Sequence, residues 1–180
     1  MFGCAFSLFI YVASNVGYQV TTQNQLTSTW DRTHVVVSGT TTVQDQRRPR
    51  LRAGEPLARI SVPSIGFNGV VLEGTDDRTL SGGPGHLIGS AYPGEPDNVV
   101  ISNHNTYSQQ WGDLKVDQVI QLDADYGRYV YKVTGFKIID ANDKSVTAST
   151  GHGALTFTTC YPLWAGALAR QRYVVQADLQ

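Results

Sequence analysis

The stretch Leu155-Thr156-Phe157-Thr158-Thr159-Cys160-Tyr161-Pro162 carries a cysteine to the end of a strand-like pattern. Successive strand residues point to opposite faces, so Leu155, Phe157 and Thr159 share one face and Thr156, Thr158 and Cys160 the other. A strand that buries Leu and Phe therefore holds the thiol out among hydroxyls, and the Pro that follows stops the strand. A thiol so placed is a candidate nucleophile, which needs a base. His104 ends a second pattern, Asn98 to His104, in which Val100, Ser102 and His104 lie opposite Val99 and Ile101. It mirrors Cys160: a reactive side chain at a strand end, off the core face. A third pattern, Arg172 to Ala177, sets Arg172 on the more polar face, away from Tyr173, Val175 and Ala177. Taken singly, a strand-end His or Arg reads as a surface residue. Taken together, the three offer a nucleophile, a proton carrier and a cation for a developing oxyanion. Of the other histidines, His34 falls in a polar stretch, His152 between glycines, and His86 after a Gly-Gly-Pro-Gly turn, where it reads as structural.

The elements that must position these residues are mostly β. The length of 180 residues suits one domain with a sizeable core. Fourteen basic residues against fifteen acidic ones leave no basic field for nucleic acid. Cys4 lies in an apolar run and Cys160 in a polar-faced strand, which argues against a disulfide between them, and no Cys/His cluster has metal-ligand spacing. No metal or other cofactor is expected. From Leu57 onward, LARISVP, GVVLEG, DNVVISNH, DQVIQLDA, RYVYKVTGFKII, ALTFTTC and QRYVVQADL recur between Gly, Pro and Asp turn signals. Seven or eight short strands at this spacing predict a mainly β, barrel-like fold. Two short helical stretches are expected, one capped by Thr75 and ended by Gly82, the other over Gln109 to Leu114 around Trp111.

Ahead of this domain, Phe2 to Val20 contains no charge and is about long enough to cross a bilayer as a helix. Residues 1–20 are therefore expected to be a single-pass membrane anchor; a cleaved signal peptide and a buried helix are the competing readings. Residues 21–56 read as a polar linker with one strand-like piece, His34 to Val37, and a basic run ending QRRPRLRAGEP.

From about Leu57 to Leu179 the chain resembles the sortases, bacterial cysteine transpeptidases with an eight-stranded β-barrel. Thr156-Phe157-Thr158-Thr159-Cys160 matches their Thr-Leu-x-Thr-Cys pattern with Phe at the Leu position. LARISVPSIGFNGVVLEGT and GGPGHLIGSAYPGEPDN look like the first strands and following loop of class D and E members, and Cys160-Tyr161-Pro162 leans towards class D. ARQRYVVQA looks like their last strand, with the matching arginine at Arg172 and Arg170 as its rival. One departure stands out: the family usually reads Gly-His, often followed by Arg or Thr, where this chain has Asn103-His104-Asn105.

The resemblance implies that Cys160 attacks the Thr-Gly carbonyl of a Leu-x-x-Thr-Gly-like signal near the C-terminus of a surface protein. Arg172 steadies the oxyanion, Thr159 helps position the carbonyl, and His104 passes its proton to the leaving Gly amine. A thioester remains on Cys160, to be resolved by an amine of a cell-wall precursor or a pilin. Such an enzyme sits at the cell membrane with its catalytic domain outside. A free thiol of pKa about 8.5 is only about 3% thiolate at neutral pH, so needing thiolate and imidazolium together makes the enzyme slow and pH-dependent. Tyr107, Trp111 and Tyr161 are candidates to line the signal-binding groove; for Tyr107 and Trp111, packing is the competing role. A papain-like or L,D-transpeptidase reading lacks its Gly-x-Cys-Trp-like or Ser-His-Gly-Cys stretch. A membrane-tethered barrel of the same kind that binds wall polymer or protein with little or no turnover remains the alternative, with Asn103 as its main support.

Overall fold

The computed structural model describes residues 2–34, 50–165 and 168–180. Its strands are β1 (Pro56–Val62), β2 (Phe67–Glu73), β3 (Gly85–His86), β4 (Asn98–Asn103), β5 (Val119–Ala124), β6 (Gly127–Asp140), β7 (Ala154–Tyr161) and β8 (Gln171–Leu179). They close a barrel in the order β1-β2-β3-β4-β7-β8-β6-β5. All seven patterned segments form strands, as the alternation predicts. The eighth, β3, has no pattern to read. Its Gly85 pairs with Leu72 in parallel, and a Cβ there would lie 2.1 Å from the Gly74 carbonyl oxygen, so only glycine allows the approach.

Alternation fills the barrel. Val99 and Ile101 from β4, Leu155 and Phe157 from β7, and Val175 and Ala177 from β8 are buried in one core cluster. Trp111, from a 3₁₀ turn at Gln109–Asp113, lies flat on Phe157, with centroids 3.5 Å apart and planes 3° from parallel. Phe67 meets its edge at 5.2 Å. Trp111 is thus a core residue rather than a groove wall, and the ring stack accounts for Phe where the family motif has Leu. Burying Leu155 and Phe157 fixes the strand's phase and leaves Cys160 facing outward.

The helix α1 runs unbroken from Phe2 to Thr33, so residues 21–33 are helical where a linker is expected. Gln23, Leu26 and Trp30 fall on one face at helical spacing. Leu26 and Trp30 pack on Val70 and Leu72, on the outer side of β2. The Gln23 amide acts as a substitute strand: its Oε1 accepts the Val70 N–H at 2.8 Å, and its Nε2 donates to the carbonyls of Gly82 at 2.8 Å and Val70 at 3.2 Å. Asp31 pairs with Arg59 at 2.5 Å, and His34 stacks on Trp30 while meeting Asp125. The polar side chains that suggest a linker are the ones that dock the helix. Among the described residues no helix is long and apolar enough to cross a membrane. Val35–Val37 of the strand-like piece, and Arg47 and Arg48 of the basic run, lie outside the described residues.

The short helix α2 (Asp77–Gly82) is capped by Asp76, one residue beyond Thr75. The Asp76 carboxylate accepts from the backbone of Arg78 and Thr79, both at 3.1 Å, and from the Thr79 hydroxyl at 2.7 Å. His86 is fully buried and structural, as its turn suggests. Its Nδ1 lies 2.9 Å from Glu73 Oε2 and its Nε2 2.9 Å from the Ala91 carbonyl, while Tyr92 donates to Glu73 Oε1 at 3.2 Å. Glu73→Ala would take the carboxylate from the fully buried His86 Nδ1, and we expect a loss of about 3 kcal/mol of stability, read as a lower urea midpoint.

Candidate active site

β4 and β7 are parallel neighbours, with Ser102 opposite Thr158 and Asn103 opposite Thr159. One step further along both strands brings His104 level with Cys160, and His104 keeps extended backbone angles (φ −71°, ψ 142°). On the other edge of β7, Cys160 pairs directly with Arg172 of β8. Residues in register point to one face of a sheet, so His104, Cys160 and Arg172 form a row across three strands on the outside of the barrel. With strands about 4.8 Å apart, the row spans about 10 Å from histidine to arginine. Arg170 precedes β8, is exposed, and has no place in that pairing.

All three side chains are half-buried. Cys160 is a free thiol. Arg172 is steadied by a bond from its Nη1 to the Gln171 carbonyl at 3.1 Å, which leaves other N–H groups for a ligand. The backbone of His104 is fixed from both sides: its N–H donates to Asn103 Oδ1 at 2.9 Å, and its carbonyl accepts from the Ser108 hydroxyl at 3.0 Å. Burial pushes the imidazole below the usual histidine range, and the charge of Asp77 pulls it partly back. Asp77→Asn is therefore expected to move the His104 titration to lower pH, seen in the imidazole Cε1–H shift by NMR.

The other expected site residues are placed differently. Thr159 is 2% exposed with its hydroxyl turned inward, because alternation puts it on the face of Phe157. Its side chain does not share the surface of Cys160, so any contact with a carbonyl there falls to its backbone. Tyr161 follows the thiol in sequence but takes the Thr159 face, half-buried, its ring stacked with Tyr173 at 6.4 Å. Tyr107 lines a cleft between α1 and the barrel together with Gln19, Gly69 and Pro84. Burial raises its phenol pKa. Asn103 is 4% exposed and points to the same cleft, where Gln19 Nε2 donates to its Oδ1 at 3.5 Å. Its Oδ1 also holds the histidine backbone. Asn105 has a role that the motif comparison does not assign. This buried residue donates from Nδ2 to the Pro162 carbonyl at 3.3 Å, tying the turn after the histidine to the loop after the cysteine. Its position directly after His104 is the only sequence signal that points to it.

A nucleophile between a proton carrier and a fixed cation suits acyl transfer. The sortase-domain family model matches residues 60–180. Over 144 residues the chain is 31% identical to sortase D of Bacillus subtilis (strain 168), covering 77% of this chain and 73% of that one. The chain belongs to the sortase family. Sortases are cysteine transpeptidases, and the sortase D relative fits the class D leaning of Cys160-Tyr161-Pro162. A Clostridium perfringens sortase D5 transpeptidase has the same fold, with a TM-score of 0.69 at 20% identity over 91% of this sortase and 99% of that chain. So does a lid mutant of sortase A from Corynebacterium diphtheriae, with a TM-score of 0.65 at 27% identity over 77% and 76% of the two chains. The Phe157–Trp111 stack, the α1 clamp and the Asn103 support of His104 are the features of this sortase that surround its row of three.

Proposed function

We propose that this sortase cleaves a Leu-x-x-Thr-Gly-like signal between Thr and Gly and transfers the acyl group to an amine of a cell-wall precursor or a pilin. The observation that carries the reading is the register that sets His104, Cys160 and Arg172 side by side on the outer face. The Cys160 sulfur attacks the Thr carbonyl carbon, and the oxyanion forms against the Arg172 guanidinium. As the C–N bond breaks, His104 as imidazolium gives its proton to the leaving Gly nitrogen, leaving a thioester. The acceptor amine then attacks that carbonyl, His104 takes a proton from it, and the C–S bond breaks to return the thiolate.

Thr156 lies four residues from Cys160 along β7, about 13 Å at strand rise, which is the reach of a four-residue signal. A cleft of about 210 Å³ opens there, lined by Thr156, Gln176, Thr150 and His152 among others. Surface-protein substrates go with a catalytic domain outside the cell membrane, anchored through its N-terminal segment. Fractionation of cells making the full chain checks that location.

The test is a panel of Leu-x-x-Thr-Gly-type peptides incubated with the protein, with mass spectrometry for an acyl adduct on Cys160 and its transfer to added triglycine. No adduct across the panel from a folded protein with a titratable thiol sinks the reading. Within it, Arg172→Ala should slow thioester formation by about 100- to 1000-fold in single-turnover kinetics. Arg172→Lys keeps the charge but loses the planar fork, and should recover only part of the rate.

A further inference from the structure

The row His104, Cys160, Arg172 has a direction. Arg172, on the β8 side, faces the developing oxyanion, and His104, on the β4 side, handles the proton of whichever amine leaves or enters. The chain that bears that amine must therefore extend over the β4 side. Beyond β4 the barrel is incomplete: β3 pairs only with Ile101 and Ser102, so from Asn103 onward the neighbouring position is empty of strand. α1 closes this seam from outside, and between it and the barrel lies a cleft of about 210 Å³ whose wall includes Asn103, immediately before His104.

The cleft is uncharged and mixes apolar walls, Val20, Phe67 and Pro84, with amides. Six side-chain amides line it, none of the lining residues is charged, and with Gln23 engaged by Val70 and Gly82 and Gln19 Nε2 by Asn103, the amides of Asn24, Asn68 and Gln110 and the Nδ2 of Asn103 face the space. Asn103 is 4% exposed, and its Nδ2 is buried with no hydrogen-bond partner among the described residues. A buried donor of this kind wants a carbonyl oxygen. Amides that both donate and accept, beside Phe67 and without charge, match the backbone of a neutral peptide. We propose that this cleft is the amine-side subsite, binding the uncharged peptide backbone of the acceptor as its terminal amine reaches the thioester beside His104. The inference rests on the reading of Cys160 as the acyl carrier. Asn24 is exposed and Gln110 partly so, which makes both reachable by an incoming chain and replaceable without opening the core.

The experiment compares two acceptors on the acyl-enzyme of the full chain, triglycinamide and hydroxylamine, in wild type, Asn24→Ala and Gln110→Ala. Thioester formation should be unchanged, and the KM for triglycinamide should rise about 5- to 10-fold, while partitioning to hydroxylamine, too small to reach the cleft, stays constant. An unchanged triglycinamide KM, or an equal loss with hydroxylamine, overturns the subsite. If no peptide acylates Cys160, triglycinamide is titrated into ¹⁵N-labelled Cys160→Ala instead. Shifts at the side-chain amides of Asn24, Asn103 and Gln110 uphold the subsite independently of the sorting signal, and their absence at millimolar peptide overturns it.

Discussion

Cys160→Ala is expected to lower acyl transfer by at least about 10⁴-fold, because no other group in the row can carry the acyl chain. The barrel should survive the change. Cys160 is half-buried at the outer end of β7, alanine keeps its Cβ, and the stack of Phe157 on Trp111 that fixes the strand lies on the opposite face. Mass spectrometry should therefore show a folded protein that forms no adduct, with a thermal transition close to that of the wild type. Transfer that persists in this variant would place the nucleophile elsewhere. An unchanged cellular phenotype would favour a barrel that binds surface material without turnover, since binding needs the face but not the sulfur.

His104→Ala should cost about 10²- to 10⁴-fold in kcat/KM, the range for a positioned proton carrier. Its backbone is held by Asn103 and Ser108, not by its own ring, so the turn after β4 should keep its shape without the imidazole. The more discriminating readout is the pH profile. Burial depresses the imidazole pKa, so the wild-type activity should fall through an acid limb lying below the ordinary histidine range. That limb should vanish in His104→Ala. In Asp77→Asn it should persist but move to still lower pH, because the carboxylate that favours the imidazolium is gone. A His104→Ala enzyme with the wild-type acid limb would show that another group titrates there.

Much of the site was legible from the period of two. Leu155 and Phe157 against Cys160, Val99 and Ile101 against His104, and Val175 and Ala177 against Arg172 each predict an outward reactive side chain, and the core holds those apolar residues. Alternation also put Thr159 on the core face, and its burial follows. Local pattern fails in other places. β3 is two residues long and has no period. α1 docks through glutamines and single apolar residues, which in sequence look the same as a solvated linker. Only β2 hinted at it: Val70, Val71 and Leu72 are apolar on both faces, which demands cover outside the barrel as well as a core within. Tyr107 and Asn105 follow His104 in a non-repetitive turn, where nothing local decides which way a side chain points.

The sequence by itself determined which residues sit at strand ends and which face they take, because burial of alternate side chains is a local consequence of strand geometry. Only the tertiary structure decided that the three ends meet. β4 is separated in sequence from β7 and β8 by other elements, and the adjacency and register of the three come from closing one barrel around one core, with Phe157 on Trp111 setting the phase. A slip of one residue between β4 and β7 would turn His104 to the other face, away from the thiol. The cleft beside His104 has the same origin: it exists because β3 stops short and a helix from the far end of the chain closes the seam.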